Sequence, residues 1–332
     1  MIARRIASAL VVIVLVSIAV FLMMRVIPGD PARLVMGPLA SEAAVESMRR
    51  QMGLDQPLWH QYFTYVAGLL TGDWGTAWHT RQPVAEVLAS RLPASLELAF
   101  SALIVAVPAG VGLGTLAAFR PDSALDYVIR SASIVILGTP PFWLGLVLIL
   151  LMFTVLGLVP PPFERLSSGL MPADITGFAI LDSMIRGDLT AFKDALGHLV
   201  LPTLTLALPL AAWLAMIARR SVIDASQAEY IKTARSKGAS ETRILCHHAL
   251  PNALLPILTL STLALGDMIA GSIMVETVFS WPGVGGFVTE SIVAQDFAPV
   301  QAIIILGAVF YSMINFLADV LYGLADPRVR LE

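Results

Sequence analysis

The chain has 332 residues, of which 57% are hydrophobic and only 14% are charged, and its formal net charge is −3. Soluble domains carry about a quarter of charged residues, so this composition, with a mean hydropathy of +0.80, argues against a soluble domain and indicates a polytopic membrane protein. The single cysteine, Cys246, excludes an intrachain disulfide.

The first apolar run, Ile6–Met24, is 19 residues long, which is enough to cross a hydrocarbon core of about 30 Å as a helix. A secretory signal peptide is the alternative, since Arg4 and Arg5 precede the run. However, the run exceeds the usual hydrophobic region of about 7–15 residues, and RVIPGDPA follows it instead of a small-x-small cleavage site. We therefore predict a retained first transmembrane helix over residues 1–26.

Residues 27–94 form a long polar segment in which Asp, Pro and Gly punctuate short helices, with an amphipathic stretch around Leu58–Leu70. We expect a small extracytoplasmic cap on the bundle. Further apolar windows lie at about 95–119, 131–158, 199–218, 253–278 and 300–323. Together with the first span they predict an all-α membrane protein of about six transmembrane helices, with a five-helix core over 95–324, an outer loop at 159–197 and a tail at 325–332.

The distribution of charges predicts the orientation. If the N-terminus is cytoplasmic, the inner segments 1–5, 120–130, 219–252 and 324–332 hold 12 basic and 7 acidic residues, whereas the outer segments hold 9 basic and 14 acidic ones. Cytoplasmic ends of membrane helices carry the excess of Lys and Arg. We therefore predict that both termini are cytoplasmic, as an even number of spans requires.

No enzyme chemistry is visible in the sequence. The chain lacks a G-x-x-x-x-G-K-[ST] phosphate loop, an H-E-x-x-H metal motif and a G-x-S-x-G nucleophile elbow. The run Gly110-Val111-Gly112-Leu113-Gly114 lies inside a predicted span, where small residues typically allow close helix packing. We predict no catalytic residue, no cofactor site and no metal site.

Acidic residues within or near spans are the other candidates, because a carboxylate in hydrocarbon is costly and usually faces protein or water. Asp267 lies in the middle of a predicted span, where it either lines a solvated path or holds a partner helix by a hydrogen bond. Glu276 precedes TVFSWPGVGG, which indicates a helix that ends in a turn, so a structural role is the better interpretation there.

The segment 219–252 is unusually polar for a loop between two spans. A helix is predicted from Arg219 to Lys237, Gly238 has the place of a helix C′ residue, and Ser240 offers an N-cap for a second short helix. Pro251 is expected to flank the entry to the next span. A basic helical hairpin is either a membrane-surface anchor or a docking element for a cytoplasmic partner; its short apolar edge favours the partner.

The hairpin resembles the EAA loop of ABC importer permeases, whose pattern is E-A-A-x₃-G-x₉-I-x-L-P. Ala234 stands at the second alanine, Gly238 at the glycine and Leu250-Pro251 at the closing pair. Lys232 stands where the glutamate is usual, and Thr233 and His248 replace the first alanine and the isoleucine. The variant T-A-R-x-K-G at 233–238 is similar to the form in peptide and nickel importer permeases.

Other blocks resemble the same family in the same order along essentially the whole chain. They are RVIPGDPA (25–32), MGLDQPLWHQY (52–62), GDWG (72–75), RLPASLELA (91–99), PPFWLGL (140–146), ETVFSWPGVGG (276–286) and DPRVR (326–330). The resemblance is to the first of the two permease subunits, the B-type of the dipeptide, oligopeptide and nickel importers. It implies a type I ABC importer permease fold, with a cytoplasmic coupling helix, in the bacterial inner membrane.

The resemblance also implies partners and site residues. The partners are a second, related permease, two cytoplasmic ATPase subunits that bind ATP and Mg²⁺, and an extracytoplasmic solute-binding protein. The expected coupling residues are Thr233, Ala234, Arg235, Lys237, Gly238, Ser240, Glu241, Arg243, His247, Leu250 and Pro251. The candidates for the translocation path or the partner interface are Asp267, Glu276 and Trp143.

Two rival functions remain open at this point. A stand-alone channel or secondary transporter would need coupling residues of its own and no cytoplasmic lever, and an intramembrane enzyme would need a catalytic dyad. Within the importer family, the expected substrate is a di- or oligopeptide, and the alternatives are a nickel chelate, glutathione or a sugar.

Overall fold

A computed structural model describes residues 2–26, 30–37, 39–170 and 175–325. The described chain is almost entirely helical and contains one short antiparallel pair of strands, β1 (Thr76–Ala77) and β2 (Gln82–Pro83). The helices are α1 (Ile2–Val26), α2 (Pro31–Met36), α3 (Glu42–Gln51), α4 (Leu58–Thr71), α5 (Val84–Phe119), α6 (Ala124–Leu137), α7 (Pro141–Leu148), α8 (Ala179–Arg186), α9 (Leu189–Ser226), α10 (Glu229–Ser236), α11 (Glu241–Arg243), α12 (Leu250–Val278), α13 (Val284–Val293) and α14 (Phe297–Ala325). Two π-helical segments, Ile149–Val155 and Ile244–Ala249, continue α7 and α11.

The polytopic all-α fold predicted from composition is confirmed. Among the described residues, four helices are long and apolar enough to cross a membrane, namely Arg5–Val26, Val84–Phe119, Leu189–Ser226 and Phe297–Leu317. A fifth span is added if α6 and the helix Pro141–Val155 count as one. The predicted window 253–278 falls within α12, many of whose side chains lie outside the described set.

The predicted span over 131–158 is not one straight helix. The chain breaks between α6 and α7 and bends there by 108°. Pro140 is in an extended conformation, with φ −60° and ψ 136°, because a residue that precedes proline is pushed out of the α region. Pro93, Pro108, Pro202 and Pro209 are single prolines and lie inside unbroken helices. Among these positions, the helix breaks only where two prolines adjoin, at Pro140 and Pro141.

The described residues form two compact units, one of Met1–Leu92 with Gly286–Ser312 and the other of Pro93–Gly285 with Met313–Glu332. In the first unit α4 packs on α1: the hydroxyls of Ser17 and Tyr62 lie 2.8 Å apart, and the Phe21 and Tyr62 rings meet edge to face at 5.3 Å. Arg49 of α3 donates to the Asp30 carboxylate at 2.6 Å. The short helices predicted for this segment are therefore present, and α4 coincides with the amphipathic stretch.

In the second unit α5, α9 and α12 form the core. A Cβ atom at Gly110 would lie 2.7 Å from the Cβ atom of Leu214 and 2.8 Å from the Ala211 carbonyl oxygen, and one at Gly114 would overlap the backbone of α9. A Cβ atom at Gly112, by contrast, would meet nothing within 4 Å. The first and last glycines of the run therefore let α5 and α9 approach almost backbone to backbone, which confirms the interpretation as close helix packing.

The loop at 159–197 is tied to α5 by a buried ion pair. Arg165 donates to the Glu97 carboxylate and, at 2.9 Å, to the Gly177 carbonyl, while the other Glu97 oxygen accepts the Ile180 N–H at 2.8 Å. Buried charges in membrane proteins are tolerated where they are paired in this way. The loop thus has a defined attachment to the start of the helical core.

Within the same loop, Asp182 of α8 organises the preceding turn. Its carboxylate accepts hydrogen bonds from the backbone N–H groups of residues 175–177 and from the Thr176 hydroxyl. Burial alone would raise the pKa of Asp182, but these hydrogen bonds to the charged form outweigh it and lower that pKa.

Candidate functional site

The polar segment between α9 and α12 folds as a helical hairpin, with α10 as its first arm. The prediction of one helix from Arg219 to Lys237 is wrong, because α9 ends at Ser226 and α10 begins at Glu229. The chain turns at Ala228, whose ψ of 150° is extended. The change of direction places Ile231 of α10 in a fully buried position.

A glycine turn connects the two arms of the hairpin. Gly238 has φ +81°, its N–H donates to the Arg235 carbonyl at 3.0 Å, and the next N–H, of Ala239, reaches back to the Ala234 carbonyl at 3.2 Å. This pair of bonds is the Schellman motif, in which the residue after the helix takes a left-handed conformation. A Cβ atom at Gly238 would meet nothing within 4 Å, so glycine is required there for its backbone and not for space.

The second arm begins as predicted. Ser240 is the N-cap of α11, and its hydroxyl accepts the Arg243 N–H at 3.4 Å. Pro251 flanks the entry to the next span as predicted, and no break separates the arm from that span, because α11, the π-helical segment and α12 follow one another directly. Pro251 lies near the start of α12, directly after the π-helical segment. The second arm is therefore the first part of the long helix that enters the core.

An ion pair connects the arms across the turn. Arg235 of α10 donates from Nε and Nη2 to the two oxygens of Glu241 of α11, at 2.7 and 2.9 Å. The hydrogen bond from Arg235 lowers the pKa of Glu241 below its usual value. A two-pronged pair favours one relative orientation of its partners, but both side chains are more than half exposed, so it adds little to the angle that the glycine turn and the buried face set.

The apolar face of the hairpin is buried in the protein's own helical core. We call this group of residues the basal cluster: Ala118 of α5, Val222 of α9, Ile231 of α10, Ile244, Leu245 and Ala249 of the π-helical segment, and Ala253 of α12. Ala234, Ala239 and Leu250 pack against it. The apolar edge seen in the sequence therefore joins the hairpin to α5 and α9, and the opposite face remains polar and exposed.

The exposed face contains most of the residues that the resemblance assigned to coupling. Those exposed are Thr233, Arg235, Lys237, Gly238, Ser240, Glu241, Arg243, His247 and Pro251, while Ala234 and Leu250 are half-buried. The side chain of Cys246 lies outside the described set. The hairpin thus presents a compact, mixed-charge surface on a rigid support.

A buried ion pair beside the hairpin was missed by the sequence reasoning, which counted its members only as loop charges. Arg219 of α9 donates from Nε and Nη2 to the two carboxylate oxygens of Asp126 of α6, each at 2.6 Å. Asp126 is fully buried, and it also accepts the Asp122 N–H at 2.9 Å. The two residues are 93 positions apart in the sequence, so no local sequence pattern predicts that they pair.

Glu276 is fully buried at the end of α12. Its carboxyl group accepts three hydrogen bonds, from the Ser95 hydroxyl at 2.7 Å, the Ser272 hydroxyl at 2.9 Å and the Gly285 N–H at 2.7 Å. The Trp281 indole N–H, in the turn between α12 and α13, donates to the Ala94 carbonyl at 2.9 Å. Glu276 therefore holds the turn against the start of the core portion of α5, as a structural role requires.

The other two candidates for the path or the partner interface are not brought to Glu276 by any described contact. Trp143 of α7 is 52% exposed. Asp267 belongs to α12, but its side chain lies outside the described residues, and so does the whole DPRVR segment.

Comparison with known proteins places this architecture in a family. Residues 110–331 match the family model "Binding-protein-dependent transport system inner membrane component", and residues 1–99 match the model of its N-terminal region. The chain is 42% identical to a probable D,D-dipeptide transport system permease protein, DdpB, of Escherichia coli strain K12, over 95% of this chain and 92% of that protein. It is 37% identical to the di/tripeptide transport system permease protein DppB of Pseudomonas aeruginosa strain UCBPP-PA14, over 99% and 98%.

A solved structure supports the fold alone. An inward-facing form of the MetNI methionine ABC transporter is similar to this chain with a TM-score of 0.53 and 15% identity, covering 72% of this chain and 96% of that one. The two permease relatives and the two family models all match this chain, and together they cover both the helical core and the segment that precedes it. This chain belongs to the family of binding-protein-dependent transport system inner membrane components, the permease subunits of ABC importers.

Proposed function

We propose that this permease moves short peptides across the membrane and that the hairpin 219–252 transmits the work of a cytoplasmic ATPase to it. The relatives named for dipeptide and di/tripeptide transport match nearly the whole chain, which supports a peptide substrate. The observation that carries the transmission role is the hairpin itself, polar and exposed on one face and buried in the basal cluster on the other.

The complex we propose contains this chain, a second related permease, two ATPase subunits that bind ATP and Mg²⁺, and an extracytoplasmic solute-binding protein. In it the translocation pathway lies between the two permeases. ATP-driven closure of the ATPase pair displaces the second arm of the hairpin, around Ser240–Leu250, and the core follows between inward- and outward-facing states.

The geometry of the exposed face supports this arrangement. The turn at Gly238 and the burial of both arms in the basal cluster hold the arms together, so a push on one arm is passed to the core. Lys237 and Arg243 are exposed on this face, where they are positioned to contact carboxylates of an ATPase subunit. Glu276 keeps the turn after α12 in place, and Asp267 and Trp143 remain candidates for the path or the partner interface.

Peptide uptake by the purified complex tests the function. We expect proteoliposomes that contain both permeases and both ATPases to accumulate a labelled dipeptide in their lumen. This uptake should require ATP in the lumen, where the ATPases face it, and the binding protein outside. A non-hydrolysable ATP analogue is the control. Uptake by this chain without the ATPases would favour a channel or a secondary transporter. Accumulation of labelled glutathione, nickel chelate or sugar, with no accumulation of the dipeptide, would replace the substrate assignment.

We also propose that both termini and the hairpin are cytoplasmic. The segments that share their side of the membrane hold more basic than acidic residues, and such an excess is typical of cytoplasmic segments. In a Cys246→Ser background, single cysteines at Ser240 and Ala43, both exposed, are then expected to react with a membrane-impermeant thiol reagent from opposite sides of sealed vesicles. Labelling of both from one side would contradict the orientation.

Substitutions at Gly238 test the hairpin as a lever. A left-handed backbone costs a residue with a side chain roughly 1–2 kcal/mol, Asn tolerates it better, and a β-branched residue tolerates it least. We therefore expect peptide uptake per ATP hydrolysed to fall in the order Gly238→Asn, Gly238→Ala and Gly238→Val, with membrane insertion retained.

The matched control for this series is Gly187→Val. Gly187 also has a positive φ, of 68°, and open space around it, but it lies after α8, away from the hairpin. We expect this variant to keep its uptake per ATP. Equal losses in both valine variants would show that backbone strain anywhere is sufficient, and wild-type coupling in Gly238→Val would exclude the lever.

A further inference from the structure

We propose that the buried Asp126–Arg219 ion pair is a positioning element for transport, which makes α6 follow the hairpin when the ATPase subunits move it. This inference rests on the proposed function and extends it to an ion pair that connects α9 to α6. The ion pair adds a fixed polar connection, beside the packing of α6 on α9, through which a movement at the exposed face reaches the bent span formed by α6 and α7.

The pair has the geometry of a rigid connection. Both oxygens of Asp126 bind the guanidinium of Arg219 at 2.6 Å, and the carboxylate is fully buried. A planar, two-pronged contact restricts rotation as well as separation. The only other described cation near this carboxylate is Arg130 of α6, whose Nη1 lies 3.8 Å away, so among the described residues Arg219 supplies the interhelix bond.

Arg219 is itself fixed to the hairpin through α9. Val222 lies three residues further along α9 and is fully buried in the basal cluster with Ile231 and Ile244 of the hairpin. On the other side, Gly114 of α5 packs so closely on α9 that a Cβ atom there would lie 2.9 Å from the Arg219 backbone nitrogen. Close-packed interfaces of this kind move as units and do not deform continuously.

Asp126 is equally well fixed to α6. Its own N–H donates to Ser123, the N-cap of α6, at 3.3 Å, and its Oδ2 accepts the Asp122 N–H at 2.9 Å. The carboxylate is therefore held by the first turn of α6 and presented to α9. Displacement of α9 by the hairpin is passed to the start of α6 through this ion pair, which reinforces the packing of α6 on α9, and beyond α6 lies the 108° bend.

The test replaces the pair in the complete importer and measures dipeptide uptake per ATP hydrolysed, together with ATPase activity and recovery of the assembled complex. Asp126→Asn keeps the shape and one acceptor but loses the charge. We expect it to lower uptake per ATP by about tenfold, which lies within the usual range of coupling between sites, while the ATPases still hydrolyse ATP and co-purify. Arg219→Lys, which keeps the charge without the fork, should be intermediate.

The matched control is Asp122→Asn. Asp122 has the same chemistry in the same turn, but its side chain is 77% exposed and 3.9 Å from Arg130, so we expect uptake per ATP to be unchanged. The exchanged pair Asp126→Arg with Arg219→Asp should recover part of the loss. Wild-type uptake per ATP in Asp126→Asn, or an equal loss in Asp122→Asn, would overturn the proposal. If Asp126→Asn fails to assemble, the exchanged pair decides: an exchanged pair that restores assembly but not uptake per ATP would also overturn it.

A second measurement leaves the ion pair intact. Spin labels at Val128 of α6 and Thr242 of the hairpin, both exposed, should keep one separation with and without ATP if the ion pair makes these elements one body. A change of separation with nucleotide in the otherwise unmodified importer would overturn the proposal. Absence of ATP-dependent uptake in the wild-type complex is a different outcome, because it would remove the proposed function and not this connection alone.

Discussion

Burial of the hairpin's apolar face in the basal cluster is the interaction on which the rest of the structure depends. Ile231, Ile244 and Ala249 are almost completely buried against Ala118 of α5 and Val222 of α9. Each fully buried aliphatic side chain contributes about 1.5–3 kcal/mol relative to its exposed state. Without this cluster the polar hairpin would be a mobile loop, and with it the exposed face becomes a fixed extension of the helical core.

Buried polar groups complete what apolar packing begins. In the second unit three carboxyl groups each connect segments that are distant in sequence: Glu97 binds Arg165 of the outer loop, Glu276 binds Ser95, and Asp126 binds Arg219. Such groups are expensive in a membrane unless they are satisfied, and their removal leaves a buried partner unpaired. They fix the relation of loops and helices where close packing alone would leave several arrangements of similar energy.

Much of this was predictable because it is local. The apolar windows indicated the long helices, Gly238 followed by Ser240 indicated the turn and the N-cap, and the spaced glycines of α5 indicated close packing. The deviations arise where local rules compete with the surroundings. The sequence predicted one helix from Arg219 to Lys237, yet the chain turns at Ala228, and Ile231 of α10 is buried in the basal cluster.

The ion pairs could not be predicted from a local pattern, whereas the adjoining prolines are a local signal for the bend. The same residue type leaves α5 and α9 unbroken at single prolines but separates α6 from α7 where two prolines adjoin. Asp126 and Arg219 are separated by 93 positions, and Ser95 and Glu276 by 181. In the sequence each of these looks like an ordinary loop or helix-end residue, and only the folded chain brings the partners together.

The central claim is that the exposed face of the hairpin is the surface on which an ATPase subunit acts. The most direct measurement is site-specific photocrosslinking in the assembled complex, with the crosslinking residue at Thr242 on the exposed face and, as a control, at Thr71, which is exposed at the end of α4. The account predicts an adduct between this chain and an ATPase subunit from position 242 and none from position 71. Adducts only to lipid or to the second permease from position 242 would contradict it.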